Sequence, residues 1–215
     1  MRVVVQGLSK YYGNITAVSS VSFDIASGEF VALRGASGSG KTTVLRLLAG
    51  FLLPDAGSIA LDGVTVSDRH NLCPPHQRQI GFVFQQPTLW PHMTVWQHLT
   101  FSARGPQAPA EARLTGLLTD MGLADLRQRY PAELSGGQAR RVGVARALAA
   151  SPRLLLMDEP FTNLDAAAKA ELMAVTQAEI ARLGCTVLYV THDLDEIAGC
   201  ASRVLQMTEG VLVAQ

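Results

Sequence analysis

An α/β fold built on a mainly parallel sheet is predicted by three observations. Strand-like apolar runs alternate with helical patterns in the last third of the chain. A glycine-rich loop sits between a buried-type strand and a helix near residue 40. Residues from about 86 to 150 read almost wholly as helix, which makes them an insertion into the sheet-forming parts.

The elements follow in order. "RVVVQ" and "VSSVSFDI" open the chain as strands, and the second alternates through Val18, Val21, Phe23 and Ile25. "SGE" turns into the strand "FVALRG", and the glycine-rich loop then leads into the helix "KTTVLRLLAGF". "PDAGS" is a turn before a hairpin, "IALDGVTV". "SDRHNLCPPHQRQ" reads as loop and "IGFVF" as strand. In the helical block, Leu114, Leu117, Leu118 and Met121 share one face and Gly122 ends the helix; "RGPQAP" before them is a linker. Then come the strand "RLLLMDE", a helix from Ala166 to Leu183, the strand "TVLYVTH", a helix near Asp193 to Cys200, and "RVLQM", which a hairpin at "TEG" joins to "VLVAQ".

Bulk properties narrow the function. The 215 residues suffice for one large or two small domains, and 48% hydrophobic with 17% charged residues excludes a disordered chain. Eighteen basic residues balance 18 acidic ones, so no global field draws the chain to nucleic acid or anionic lipid. Cys73, Cys185 and Cys200 form no CxxC pair and read as free thiols in a reducing compartment. The N-terminus has too short an apolar run for a signal peptide, and the longest apolar stretch, "VLRLLAGFLL", is broken by Arg46. The expectation is a cytosolic chain whose link to any membrane runs through a partner.

"GASGSGKTT", Gly35 to Thr43, fits G-x-x-x-x-G-K-[ST] in the strand–loop–helix setting that the motif requires. Its glycines let backbone N–H groups turn toward phosphate oxygens; Lys41 suits the β- and γ-phosphates and the Thr42 hydroxyl suits Mg²⁺. "RLLLMDEP" ends an apolar strand in two carboxylates. Asp158 suits Mg²⁺ and Glu159 an attacking water, but two exposed strand-end carboxylates fit the same residues equally well. His192, in "YVTHD", is either a structural histidine or a donor to a γ-phosphate. Gln85, in "VFQQP", is either a plain loop residue or a neutral ligand for metal or water. "LSGGQARR" places an N-cap hydroxyl, Ser135, before Gly136 and Gly137 at the head of a strong helix former, a second anion-receiving tip a hundred residues after the first.

The order "GASGSGKT", "VFQQ", "LSGGQ", "LLLMDEP", "TNLD", "VTHD" resembles the ATP-binding cassette (ABC) ATPases over essentially the whole chain. The resemblance implies a P-loop NTPase core with a mainly parallel sheet, an N-terminal antiparallel β subdomain and an inserted α-helical subdomain. Residues 1–215 would form one cassette, with 1–85 and 151–215 as core and β subdomain and 86–150 as the helical subdomain carrying the signature. Tyr12 would stack on adenine, with Tyr11 a weaker candidate and simple packing the alternative. Gly35, Ala36, Ser37, Gly38, Ser39, Gly40, Lys41, Thr42 and Thr43 match the phosphate loop. Gln85 matches the Q-loop glutamine, contacting metal and water, Asp158 the Mg²⁺ carboxylate, Glu159 the catalytic base, His192 the switch histidine and Asp165 the D-loop aspartate. Asp165 also reads as the N-cap of the helix from Ala166.

The same resemblance explains the second tip. Two cassettes pair head to tail, and Ser135, Gly136, Gly137 and Gln138 of one close over the γ-phosphate of ATP held by the other, so binding and hydrolysis bias an opening and closing motion. Ala139 stands where many members carry Arg; it and the following Arg140 and Arg141 are expected to be peripheral to the nucleotide. The segment "LWPHMTVWQHL" is similar to the part of importer ATPases that holds a permease helix, around Trp90–Thr94. Trp90 and Trp96 are candidates for that groove, with core packing the stronger reading for Trp96. The resemblance therefore implies ATP and Mg²⁺ as ligands and a second ATPase subunit, most simply an identical one. It also implies integral membrane permease subunits and an extracytoplasmic solute-binding protein, with no nucleic acid. The expected place is the cytoplasmic face of the cell membrane, and the expected work is uptake of a small solute or ion. The chain ends about where a cassette ends, with no regulatory domain expected. A soluble, non-transport ABC ATPase is the alternative. A non-hydrolysing module sits badly with Glu159 and His192, and a kinase or GTPase leaves "LSGGQ" unexplained.

Overall fold

The computed structural model describes residues 1–104, 110–193 and 195–213. Its N-terminal part is a four-stranded antiparallel sheet made of β1 (Val3–Tyr12), β2 (Ile15–Ile25), β4 (Ala56–Leu61) and β5 (Val64–Asp68), in the order β2-β1-β4-β5. A six-stranded sheet holds β3 (Phe30–Arg34), β6 (Ile80–Val83), β7 (Leu154–Asp158), β8 (Thr186–Thr191), β9 (Arg203–Thr208) and β10 (Val211–Val213), in the order β10-β9-β3-β8-β7-β6. All its neighbours run parallel except the final hairpin of β9 and β10.

Alternation along the buried strands assigns their two faces. Leu154, Leu156, Leu188, Val190, Val31 and Leu33 join one core, shared with α1 (Lys41–Ala49) and the antiparallel sheet. Leu155, Met157, Val187, Tyr189 and Ala32 join the other, shared with α2 (Val95–Ser102), α3 (Glu111–Asp120), α4 (Gly136–Ala149) and α5 (Ala166–Leu183). Covered on both faces, β7 and β8 are buried at every position, as their unbroken apolar runs require.

Several sequence expectations shift. The first two strands are longer than their apolar cores, because the antiparallel ladder continues, across several register irregularities, through polar residues to the pair Tyr12 and Ile15. The loop from Ser67 holds the end of β5 and a 3₁₀ turn, Pro75–Gln77. The helix expected near Asp193 to Cys200 is, among the described residues, a 3₁₀ turn at Asp195–Ile197. The linker "RGPQAP" lies outside the described residues apart from Arg104, as do Ala214 and Gln215.

Candidate nucleotide site

Parallel strands bring their carboxyl ends to one edge, where open α/β sheets place ligands. Here β3 ends in the glycine-rich loop, β6 runs to Gln85, β7 ends at Asp158, and β8 runs into His192. A cleft of about 550 Å³ opens at that edge, lined by Lys41, Thr42, Gln85, Asp158, Glu159 and His192 together with Ser37, Gly38, Gly40 and Thr43.

The loop is shaped by its glycines. Gly40 has φ 102° and its backbone lies against the Ala17 carbonyl, so a side chain there would strain the turn and collide. Gly40 gives α1 no side-chain cap, so its first N–H groups remain open to an anion. Lys41 is buried, and its Nζ donates to the carbonyls of Gly35 and Ala36 at 2.8 Å each. Burial lowers its pKa, while the charges of Glu159 and Asp158 pull the other way.

The Thr42 hydroxyl donates to Asp158 Oδ1 at 3.1 Å. Asp158 is 6% exposed, and burial pushes its carboxyl above the usual range despite the Thr42 bond and the charges of Arg46 and Lys41. A buried carboxylate beside a hydroxyl is a pair of hard oxygen donors short of a cation, and it fits Mg²⁺, which takes few protein ligands and shares phosphate oxygens. Next along the chain, Glu159 sits at φ 43°, with its N–H donating to the Val190 carbonyl at 3.0 Å. That backbone turn carries its carboxylate toward Gln85, whose Nε2 donates to Glu159 Oε2 at 3.3 Å, and toward His192, whose Nδ1 lies 3.4 Å from the same oxygen.

Other expected residues lie elsewhere. Tyr12 is half-exposed at the β1–β2 hairpin, with the Lys10 ammonium 5.9 Å from its ring centre; it does not line the cleft, whereas Ile15, Thr16 and Ala17 just after it do. Sequence reasoning missed these three, whose only signal is their position past an aromatic turn. Ser135 caps α4 in a reciprocal pair, accepting from the Gln138 N–H at 3.2 Å while Gln138 Oε1 accepts from the Ser135 N–H at 2.9 Å. Neither these two nor Gly136 and Gly137 line the cleft of their own chain. Asp165 caps α5 by accepting from the Ala168 N–H at 2.9 Å.

Trp96 packs against the core and carries the Arg127 guanidinium 3.5 Å from its ring centre. Trp90 is 39% exposed, with Phe101 edge-on to it, and lines a groove with Phe82, Phe84 and Arg146. Arg140 is nearer the site than expected, since it donates to the carbonyls of Gln85 and Pro160.

The ABC transporter family model matches residues 18–162. The sulfate/thiosulfate import ATP-binding protein of Bacillus cereus is 42% identical, over 99% of this chain and 60% of its own length. The Fe(3+) ions import ATP-binding protein of Pseudomonas fluorescens is also 42% identical, over 95% of this chain and 58% of its own. The chain thus spans about three fifths of the length of these curated relatives. Among solved structures, a dimeric bacterial ABC transporter cassette superposes with a TM-score of 0.85 at 32% identity, covering 99% of this chain and 97% of that one. A dimeric post-hydrolysis cassette bound to ADP and Pi gives 0.82 at 30% identity, covering the same 99% and 97%.

Proposed function

The chain belongs to the ABC transporter family, and from that premise we propose that it is the ATP-hydrolysing part of an importer for a small solute or ion. The observation that carries the reading is the gathering of Lys41, Thr42, Gln85, Asp158, Glu159 and His192 on one cleft while the Ser135–Gln138 tip lies outside it. A triphosphate in the glycine-rich loop meets the open N-terminus of α1 and the Lys41 ammonium. Thr42, Asp158 and Gln85 would hold Mg²⁺, which would supply positive charge to the phosphate oxygens. Glu159 orients and accepts a proton from the attacking water, and Gln85 and His192 fix its carboxylate. Tyr12 stacks on the adenine beside Ile15–Ala17.

The second half of the site comes from another cassette. Ser135, Gly136, Gly137 and Gln138 of one copy close over the triphosphate of the other, with Asp165 nearby at the shared face. The dimeric form of a cassette 32% identical to this chain supports that arrangement. The groove beside Trp90 receives a permease subunit, and a solute-binding protein delivers the cargo outside. The described residues include no helix long and apolar enough to cross a membrane; in this reading the permease holds the chain at the cytoplasmic face. The residues form one cassette, with 86–150 as its helical subdomain. Import is favoured over a soluble, non-transport role by the names of the relatives, both import ATP-binding proteins.

The test is Mg²⁺-dependent ATP hydrolysis by the wild type beside Glu159→Gln, with dimer formation read by light scattering. The variant loses about 10²–10⁴-fold in rate and accumulates as an ATP-bound dimer. Equal rates would remove Glu159 as the base, and a variant that stays monomeric with ATP would overturn the shared site.

A further inference from the structure

We propose that Arg140 is a positioning residue that couples the Ser135 helix tip to the Gln85–Glu159 pair of the same chain. The proposal rests on the hydrolytic reading above and adds a route by which ATP held by the partner sets the geometry of a chain's own reacting groups.

One nitrogen makes the connection. Arg140 projects from the second turn of α4, and its Nη1 donates to the Gln85 carbonyl at 3.1 Å and to the Pro160 carbonyl at 2.8 Å. Pro160 directly follows Glu159, and Gln85 Nε2 donates to Glu159 Oε2 at 3.3 Å. A closed ring therefore runs from Arg140 through Gln85, Glu159 and Pro160 back to Arg140. Displacing α4 draws on both carbonyls together and keeps the amide and the carboxylate in register.

The ring does not merely attach the loop. Arg146, 9% exposed and further along α4, already donates to the Thr88 carbonyl at 2.9 Å and the Pro87 carbonyl at 3.2 Å. Gly143 faces Pro87 with room between them for only a methyl group. With those contacts intact, the segment after β6 stays on α4 without Arg140. What Arg140 adds lies at the catalytic end, where charged donors to carbonyls make the stronger hydrogen bonds. A tip that closes on the partner's triphosphate thereby aligns Glu159 in its own cleft, and the two sites become coupled through α4.

The experiment compares wild type, Arg140→Ala and Arg140→Lys in the full chain. Fluorescent-nucleotide titration reports binding to the monomer, and steady-state hydrolysis gives kcat, KM and the Hill coefficient. Arg140→Ala lowers kcat about ten- to a hundredfold, the range that a small misplacement of reacting groups produces. Its KM and monomer affinity stay those of the wild type, its thermal midpoint falls by only a few degrees for the one part-buried carbonyl left bare, and its Hill coefficient falls toward one. Arg140→Lys recovers part of kcat, because an ammonium can still bridge two carbonyls. A wild-type kcat and Hill coefficient in Arg140→Ala would overturn the proposal, as would a loss of monomer affinity equal to the loss of kcat, or a lysine variant no better than alanine. A wild type that hydrolyses no ATP would instead bring down the hydrolytic reading itself.

Discussion

Arg78 is the place to test how the loop before β6 is fastened. It is 2% exposed, and its guanidinium donates from Nε to the Cys73 carbonyl at 2.8 Å, from Nη1 to Leu48 at 2.7 Å and Leu47 at 3.3 Å, and from Nη2 to Val66 at 3.1 Å and the Ser67 hydroxyl at 2.6 Å. Two of these acceptors have a second donor: Leu47 takes the Gly50 N–H and Val66 takes the Cys73 N–H. Removing the guanidinium therefore bares three acceptors, the Leu48 and Cys73 carbonyls and the buried Ser67 hydroxyl. At about 1–3 kcal/mol for each buried acceptor left unpaired, Arg78→Ala costs about 3–9 kcal/mol. For a chain of this length that is a fall of about 6–36 °C in thermal midpoint. Urea unfolding of the nucleotide-free protein measures it directly. Arg78→Met separates the terms, because it restores most of the volume and leaves the carbonyls bare. A methionine variant as stable as wild type, or an alanine variant within about 0.5 kcal/mol of it, would refute the reasoning.

Ser135→Ala removes the cap on the Gln138 N–H and costs about 0.5–2 kcal/mol; it also weakens ATP-driven dimerisation while the monomer binds ATP as before, and weakened monomer binding would place Ser135 in the wrong half of the site. Asp158→Asn follows from the sign of the Asp158 shift. A carboxyl whose pKa is raised by burial binds its proton more tightly folded than unfolded, so its contribution to stability is greatest at low pH and is lost as pH rises through the folded value. The asparagine variant should therefore unfold at a higher urea concentration than wild type at pH 7, with a flatter stability profile above the ordinary carboxylate range, and lose Mg²⁺-dependent hydrolysis. A lower urea midpoint at pH 7 would mean that the carboxylate is already compensated.

The residues whose surroundings are local were readable from the chain. The glycine-rich loop announces itself by glycines at fixed spacing, and the caps Asp165 and Ser135 by standing immediately before a helix. Arg78 and Arg140 gave no such signal, because all but one of their acceptors are main-chain carbonyls, most of them in segments distant in sequence, and a carbonyl has no letter. For the same reason "SDRHNLCPPHQRQ" read as a loop without chemistry, although Arg78 ties it to the end of α1. Gly50 is the matching clue: a Cβ there would lie 2.6 Å from the Arg78 guanidinium carbon, which becomes meaningful only once the two are known to meet. The stretch from Asp193 to Cys200 showed a helical pattern too short to hold without packing, and only one 3₁₀ turn forms among its described residues.

The left-handed backbone at Glu159 has a consequence for anyone improving the protein. A residue with a side chain held there costs about 1–3 kcal/mol that glycine would not. A library screened for heat tolerance alone should thus drift toward glycine at position 159, and, with Glu159 in the role proposed for it, its sturdiest survivors would be inert. Screens on this scaffold need turnover as a second criterion from the first round.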